Sequence, residues 1–385
     1  IDRLSPIARK VEREGTPNRR NVVLVFMESM SANLMGTFGS DKKLTPYLDS
    51  LYQQSLSFSH FYSSGIHTTH GIYSTLYSFP AIMKRNAMKG SVIPVYSGLP
   101  TVLQENGYCN LFFMTHESQY DNMNAFLRTN GFDEIYAQEN YPSEKVVNSF
   151  GVQDDFMYQY ALPILNERAG TGNPFFSVLL SISNHPPYVI PPYFHPHSDV
   201  LEEQIVEYAD WSIRQFMQAA EKQSWFDNTI FVFLGDHGKM VGTPECEMPQ
   251  SYNHIPLMIY GKDIKPGVYD GFGGQVDVSP TLLGLLNISY LQNNFGVNLL
   301  EEERPCMFFT ADNLIGARDS VNMFIYSPDS QQEFKYKLEE GKLRAATGTD
   351  EEAFRNLKDY CFSMLQSTES LVKEHKTLDK VSVKK

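Results

Sequence analysis

Two carboxylates and an imidazole follow directly on strongly apolar runs in this sequence. Asp236 and His237 end Thr229-Ile-Phe-Val-Phe-Leu-Gly-Asp-His-Gly238, and Glu28 follows Asn21-Val-Val-Leu-Val-Phe-Met27. Together they form a ligand set for a divalent cation. A hydroxyl is on offer from Gly65-Ile-His-Thr-Thr-His-Gly71, where Thr68 or Thr69 opens a helical pattern through Ile72, Leu76 and Phe79. Such a hydroxyl can be a plain N-cap. The same position also suits a nucleophile, because backbone N–H groups and the helix dipole there point at an incoming phosphate. No general base is evident, so a metal bound to the hydroxyl would have to lower its pKa. The bland readings are a solvated Glu28 in a turn and an Asp236 that caps a helix beside a bystander His237. Glycine on both sides of Asp236-His237 would let the backbone approach a ligand closely.

Three more histidines stand at predicted strand ends. His185 lies in Ser181-Ile-Ser-Asn-His-Pro-Pro-Tyr188, His254 in Tyr252-Asn-His-Ile-Pro-Leu257, and His116 just after residues 110–114. A lone histidine is usually structural, but three beside Asp236-His237 point to one shared site. His195, His197 and His375 lie in loop or tail contexts and are set aside.

The elements that must hold these residues read as an α/β fold. Buried strands are predicted over 22–27, 110–114, 174–183, 229–234 and 255–260. Between them fall helical patterns: one capped by Thr45 with Pro46 in its first turn, one over 101–106, one over 202–223 and one over 278–286. This alternation implies βαβ units and a mainly parallel central sheet flanked by helices, with ligands at the carboxyl ends of the strands. Residues 186–196, rich in proline, form a surface loop. Beyond about residue 300, short strands over 307–310, 323–326 and 334–338 predict a small antiparallel sheet, closed by a helix over 351–365. The resulting division is a linker over 1–20, a catalytic domain over 21–300, an α+β region over 301–370 and a frayed tail over 371–385.

Composition narrows the partners. The 385 residues carry a formal net charge of −13, which excludes a nucleic-acid-binding role. An anionic substrate would need a metal or a few local cations. No apolar run approaches a membrane span and no signal-peptide pattern opens the chain. Arg9, Lys10, Arg13, Arg19 and Arg20 make the first segment basic: a juxtamembrane linker to a missing N-terminal anchor, or a solvated tail. Cys109, Cys246, Cys306 and Cys361 lack paired spacing and are expected to be isolated or to form at most one bridge.

Seven short motifs, in order, resemble the alkaline phosphatase/sulfatase superfamily. They are Val-Phe-Met-Glu-Ser (25–29), Thr-Pro-Tyr-Leu-Asp (45–49), His-Thr-Thr-His-Gly (67–71), Ser-Asn-His-Pro-Pro (183–187), Gly-Asp-His-Gly (235–238), Asn-His-Ile-Pro-Leu (253–257) and Gly-Gln-Val-Asp-Val-Ser-Pro-Thr (274–281). Within the superfamily the set is similar to the lipoteichoic acid synthase-like phosphoglycerol transferases, over roughly residues 21–300. The resemblance implies that Glu28, Thr68, Asp236 and His237 bind one divalent cation, Mn2+ with Zn2+ and Mg2+ as alternatives, and that Thr68, rather than Thr69, is the nucleophile. It places His185 on the substrate phosphate and His254 at a second metal or substrate position. It further implies a phosphatidylglycerol-like donor, a glycan or polymer acceptor, and an extracytoplasmic domain on a membrane anchor. Two departures stand out. Threonine occupies the place where sulfatases need a formylglycine precursor, which disfavours sulfate ester hydrolysis. The phosphate-binding Arg of the synthases is missing from 119–124, where Met123 is near its position and Asn122 or His116 would share its role. The expected reaction is transfer of a phosphoglycerol group through a phosphothreonine; the alternatives are hydrolysis, as a phosphodiesterase or a sulfatase-like enzyme, and a non-catalytic glycan or lipid head-group binding domain.

Overall fold

The computed structural model describes residues 4–348 and 351–380. The chain begins with a short strand, β1 (Arg9–Val11), and a long one, β2 (Asn21–Met27). There follow α1 (Pro46–Gln54), β3 (Leu56–Tyr62), α2 (Thr68–Tyr77), α3 (Leu99–Glu105), β4 (Cys109–Phe113), α4 (Met123–Thr129) and β5 (Glu134–Tyr136). A hairpin, β6 (Val146–Asn148) with β7 (Gly151–Val152), leads to α5 (Asp154–Ala169), β8 (Phe175–Leu180), α6 (Leu201–Ala220) and β9 (Thr229–Gly235). Next come α7 (Gln250–Asn253), β10 (Leu257–Tyr260), β11 (Gly267–Gly274), α8 (Val278–Leu285) and β12 (Tyr290–Gln292). The remainder is β13 (Met307–Ala311), β14 (Leu314–Arg318), β15 (Asn322–Ser327), β16 (Gln332–Glu339), β17 (Lys342–Ala345) and α9 (Glu351–Lys373).

Every residue of β2, β8 and β9 is buried. Strands without a polar face can only lie inside a sheet covered on both sides. They form the middle of an eight-stranded sheet ordered β11-β3-β10-β9-β2-β8-β4-β5. Side chains alternate between its faces. Val22, Leu24 and Phe26 pack with α2, α3, α4 and α8, while Val23, Val25 and Met27 pack with α1, α5 and α6. Each large apolar side chain buried this way stabilises the fold by roughly 1.5–3 kcal/mol. Parallel register sets Met27 opposite Gly235 and Phe26 opposite Leu180, so the chain leaves three central strands at one level, at Glu28, Ser181 and Asp236.

The sheet is mixed. Most pairings are parallel, but β10 runs antiparallel to both β3 and β9. The C-terminal strands form the expected antiparallel sheet, β13 to β17 in order. One of its faces carries α9, and the other packs on Tyr62, Met248 and Phe272.

Both ends are better anchored than their charge suggests. β1 pairs antiparallel with β12, and Arg9 and Arg13 bond Glu302 and Glu301. Arg9 and Arg13 thus meet acidic partners, while Arg20 Nη2 donates to Thr229 O (3.2 Å). Near the other end, Asn293 Nδ2 donates to Lys376 O and Leu378 O, and Thr377 Oγ1 donates to Val95 O. Residues 381–385 of the predicted tail lie outside the described residues. All four cysteines are free thiols. Among the described residues no helix is long and apolar enough to cross a membrane.

Thr45 makes no capping bond to α1. That duty falls to Asp210 of α6, whose carboxylate accepts from Tyr47 N (3.1 Å) and Leu48 N (2.8 Å). A capping partner 163 positions away along the chain leaves no local sequence signal.

Candidate active site

Glu28 leaves β2 and Asp236-His237 leaves β9 side by side, because their strands pair in register. The start of α2 then packs against this edge at a glycine. A side-chain carbon on Gly71 would lie 2.2 Å from Asp236 O, a distance no other residue tolerates. The contact brings Thr68, first residue of α2, over the two carboxylates. Thr68 Oγ1 lies 2.8 Å from Asp236 Oδ2 and 3.3 Å from Glu28 Oε2. The N-cap of α2 is His67, whose side chain makes no capping bond. Thr69 is buried inside the helix.

The remaining carboxylate oxygens are fixed by the protein. Asp236 Oδ1 accepts from Ser29 N (2.9 Å) and His237 N (2.8 Å), so it caps no helix. Glu28 Oε1 accepts from Ser29 Oγ (2.8 Å), and Glu28 N donates to Ser181 Oγ (2.9 Å). His237 Nδ1 sits 2.7 Å from Gly238 O, leaving Nε2 3.5 Å from Asp236 Oδ2 and 3.7 Å from Glu28 Oε1. An imidazole tied to a backbone carbonyl through one nitrogen offers the other as a metal ligand.

Ligand atoms of Glu28, Asp236 and His237 all lie within 4.8 Å of one another. Glu28 is fully buried, and its pKa is held well above the ordinary carboxylate range, first by burial and then by the like charge of Asp236. Two buried carboxylates turned on one another, with a hydroxyl and an imidazole converging, fit a divalent cation, which would relieve that repulsion. The flanking glycines have a different role from the one their flexibility suggested. Gly235 passes close to Met30 O and Gly238 to Ser251 O, so they admit neighbouring backbone rather than a ligand.

The other predicted residues are arranged around this cluster. The rings of His116 and Tyr120 lie 4.8 Å apart, Tyr120 and Phe150 6.1 Å, and Phe150 and His185 4.3 Å. They form one continuous run of rings. Tyr120 is near enough for the charge of Glu28 to raise its pKa, after burial. His116 is buried with Nδ1 on Glu117 O, and burial pushes its pKa down. His185 Nδ1 is on Pro186 O. Asn122 uses its amide on Met88 O, and Met123 is buried. His254 stacks on Tyr62, donates through Nε2 to Ser59 O, and is pushed down to about 4 by burial. Among the described residues none of His116, His185, Asn122 and His254 bonds any of the four central side chains.

Several contributors were not legible. Lys239 Nζ donates to Asn184 Oδ1 (2.6 Å), and Asn184 Nδ2 donates to Glu28 O (3.1 Å). Burial lowers the Lys239 pKa to about 8. His67, just before Thr68, meets Asp312 Oδ1 at 2.6 Å from the β13–β14 turn. Gln275 accepts from Ser64 N and donates to Asp236 O. Only position hints at them: Lys239 follows Gly238, and Gln275 stands in the 274–281 motif.

Comparison with known proteins gives the family and the fold. A family model described as Sulfatase matches residues 20–288. The lipoteichoic acid synthase-like protein YvgJ of Bacillus subtilis is 25% identical over 324 residues, covering 75% of this chain and 51% of that protein. The chain therefore spans about half the length of the curated relatives it matches. A Vibrio parahaemolyticus protein of the alkaline phosphatase superfamily superposes with a TM-score of 0.87 at 26% identity, covering 97% of this chain and 92% of that one. The lipoteichoic acid synthase LtaP of Listeria monocytogenes gives 0.77 at 22%, covering 94% and 96%.

Proposed function

The chain belongs to the Sulfatase family, within the alkaline phosphatase superfamily, and on that premise we propose that it is a metal-dependent phosphoglycerol transferase. It would move a phosphoglycerol or similar phospho-alcohol group from a phospholipid to a glycan or polymer hydroxyl. The observation that carries this reading is the placement of the Thr68 hydroxyl over Asp236 and Glu28, at 2.8 and 3.3 Å. A threonine cannot become formylglycine, so it points to phosphorus rather than sulfate ester chemistry. The lipoteichoic acid synthase-like relatives support the same direction.

Glu28, Asp236, His237 and Thr68 Oγ1 would hold the cation, which supplies Lewis-acid stabilisation of phosphate charge and a lowered hydroxyl pKa. An oxygen-rich set with one imidazole suits Mn2+ better than Zn2+. Asp236 Oδ2 orients the Thr68 hydroxyl, and the first turn of α2 directs N–H groups at the phosphate. Thr68 Oγ1 bonds to phosphorus as the bond from phosphorus to the diacylglycerol oxygen breaks, and the proton lost by the hydroxyl ends on that leaving oxygen. A hydroxyl of the acceptor then attacks the same phosphorus, and Thr68 Oγ1 departs with a proton restored. His185, with His116 and Tyr120 behind it, would line the side where the head group sits. Asn122 and His254 would act through the walls they brace, since Asn122 Nδ2 and His254 Nε2 already have protein partners. Such a donor places the domain against the outer face of a membrane.

Incubation with phosphatidylglycerol and Mn2+, followed by peptide mass spectrometry, tests the reading. A phosphoglycerol adduct on Thr68, absent from Thr68→Ala, is the expected result. Membership of a family called Sulfatase supports a second reading, hydrolysis. Free glycerol phosphate without transfer to any added glycan would favour it. Neither adduct nor product, with metal bound, would leave a non-catalytic binding domain.

A further inference from the structure

Between the first turn of α1 and the outer face of α6 lies a cleft of about 450 Å3, within the range of small-ligand sites. Its wall is aromatic. Trp211 packs against Phe194 with ring centroids 5.4 Å apart, and Tyr47 stands in the same wall. Lys43, Arg214 and His195 also line it, all exposed. Among the described residues none of these three has a hydrogen bond or ion pair. The carboxylates in the wall are already committed. Asp210 caps α1, and Glu207 accepts from His197 N (3.0 Å) and Ser198 N (3.1 Å). Burial raises the Asp210 carboxyl to about 7, which further reduces its negative charge. The free charges are therefore positive, in a chain whose net charge is −13.

Unpaired Lys and Arg beside aromatic faces suit a particular ligand chemistry. A guanidinium grips a phosphate through two parallel N–H bonds. The apolar C–H face of a sugar ring lies flat on an indole or phenol, while imidazole and phenol groups bond its hydroxyls. We propose that the cleft between α1 and α6 is a second binding site, separate from the Thr68 centre, for a saccharide that carries a phosphate group. The loop over 186–200 joins the two places: His185 stands at its start, and Phe194 and His195 near its end. That loop is pinned, since Tyr193 Oη donates to Asp155 Oδ2 (2.6 Å) and Glu207 holds 197–198. α1 follows β2 and α6 precedes β9, so both helices begin at the sheet edge that bears Glu28 and Asp236.

The site does not depend on the catalytic reading, and its test uses the full chain with Thr68→Ala. Trp211 is one of two tryptophans; the other, Trp225, is buried with its indole N–H on Asn166. Glucose 6-phosphate should change tryptophan emission saturably at millimolar concentration, and Trp211→Phe should abolish the change. Glucose alone and inorganic phosphate alone should each bind at least about tenfold more weakly. Arg214→Ala should weaken binding about tenfold and Lys43→Ala several-fold, with unchanged circular dichroism, as both residues are exposed. No saturable change, unaltered binding by both variants, or inorganic phosphate binding as well as the sugar phosphate would each overturn the proposal.

Discussion

Around Thr68 the carboxylates are buried and bonded to neighbouring groups; in the α1–α6 cleft Lys43 and Arg214 are exposed, unpaired and positive. Glu28 and Asp236 sit at 1% and 0% exposure, held by Ser29 and backbone N–H groups. Lys43, Arg214 and His195 project freely into solvent. The difference follows from what each place is proposed to hold. A small cation needs ligands preset to within fractions of an ångström, which only packing and a surrounding hydrogen-bond shell can enforce. A large anionic ligand approaching a chain of net charge −13 needs reach and local positive potential, which mobile side chains at a rim provide.

Substitutions can separate the two regions. Thr68→Ala should reduce transfer on the order of 10³-fold or more, measured by product formation from phosphatidylglycerol, and leave glucose 6-phosphate binding in the cleft unchanged. A common loss of both would merge the two sites. Glu28→Gln should be more subtle. Mn2+ at 100 to 1,000 times its Kd should stabilise the wild-type protein by about 3–4 kcal/mol, visible as a raised melting temperature. The variant should lose most of that gain and yet melt above the wild type in EDTA, because one buried charge is gone. If the variant in EDTA melts lower, the two carboxylates are not in conflict as described. Cleft substitutions come next in size: combining Arg214→Ala with Lys43→Ala should multiply their separate losses in sugar-phosphate affinity, without altering the metal-dependent melting shift.

The smallest effect is a pH dependence. The Asp210 carboxyl is raised from 3.8 to about 7 in the fold, so between those values the folded state binds more protons than the unfolded one. Its contribution to stability is complete below about pH 4 and declines as pH rises through 7. In Asp210→Asn, urea midpoints from pH 4.5 to 7.5 should lose this downward component relative to wild type. Parallel pH profiles would remove the buried-proton account of the cleft wall.

Much of the centre could be read from the chain because its ligands lie at strand ends. Uninterrupted apolar runs locate buried strands, and the first polar residue after each is then at the functional edge, as Glu28 and Asp236 are. The residues that hold those ligands in place were hidden by sequence distance. Ser181 reaches Glu28 across 153 positions, and Asp312 reaches His67 across 245. β3 gives no apolar run, because Leu-Ser-Phe-Ser-His-Phe-Tyr mixes polar residues into an inner strand, and Pro163 interrupts the pattern of α5. β1 looked like a solvated basic segment because its partner, β12, lies nearly 300 residues away. His195 was set aside as a loop residue; its neighbours Trp211 and Tyr47 come from two different helices, which no local pattern connects.

The clasp between His67 and Asp312 has a consequence for where this protein can be cut. The turn before Thr68 is also stitched to β13 by Thr310, whose N and Oγ1 both reach Ser64 O at 2.8 and 3.1 Å. The family match stops at residue 288, so a fragment trimmed there would keep every motif and lose the strand that steadies the turn before Thr68. Recombination that swapped the last hundred residues for those of a relative would have to reproduce that seam, or inherit an intact Glu28, Asp236 and His237 beneath a wandering threonine.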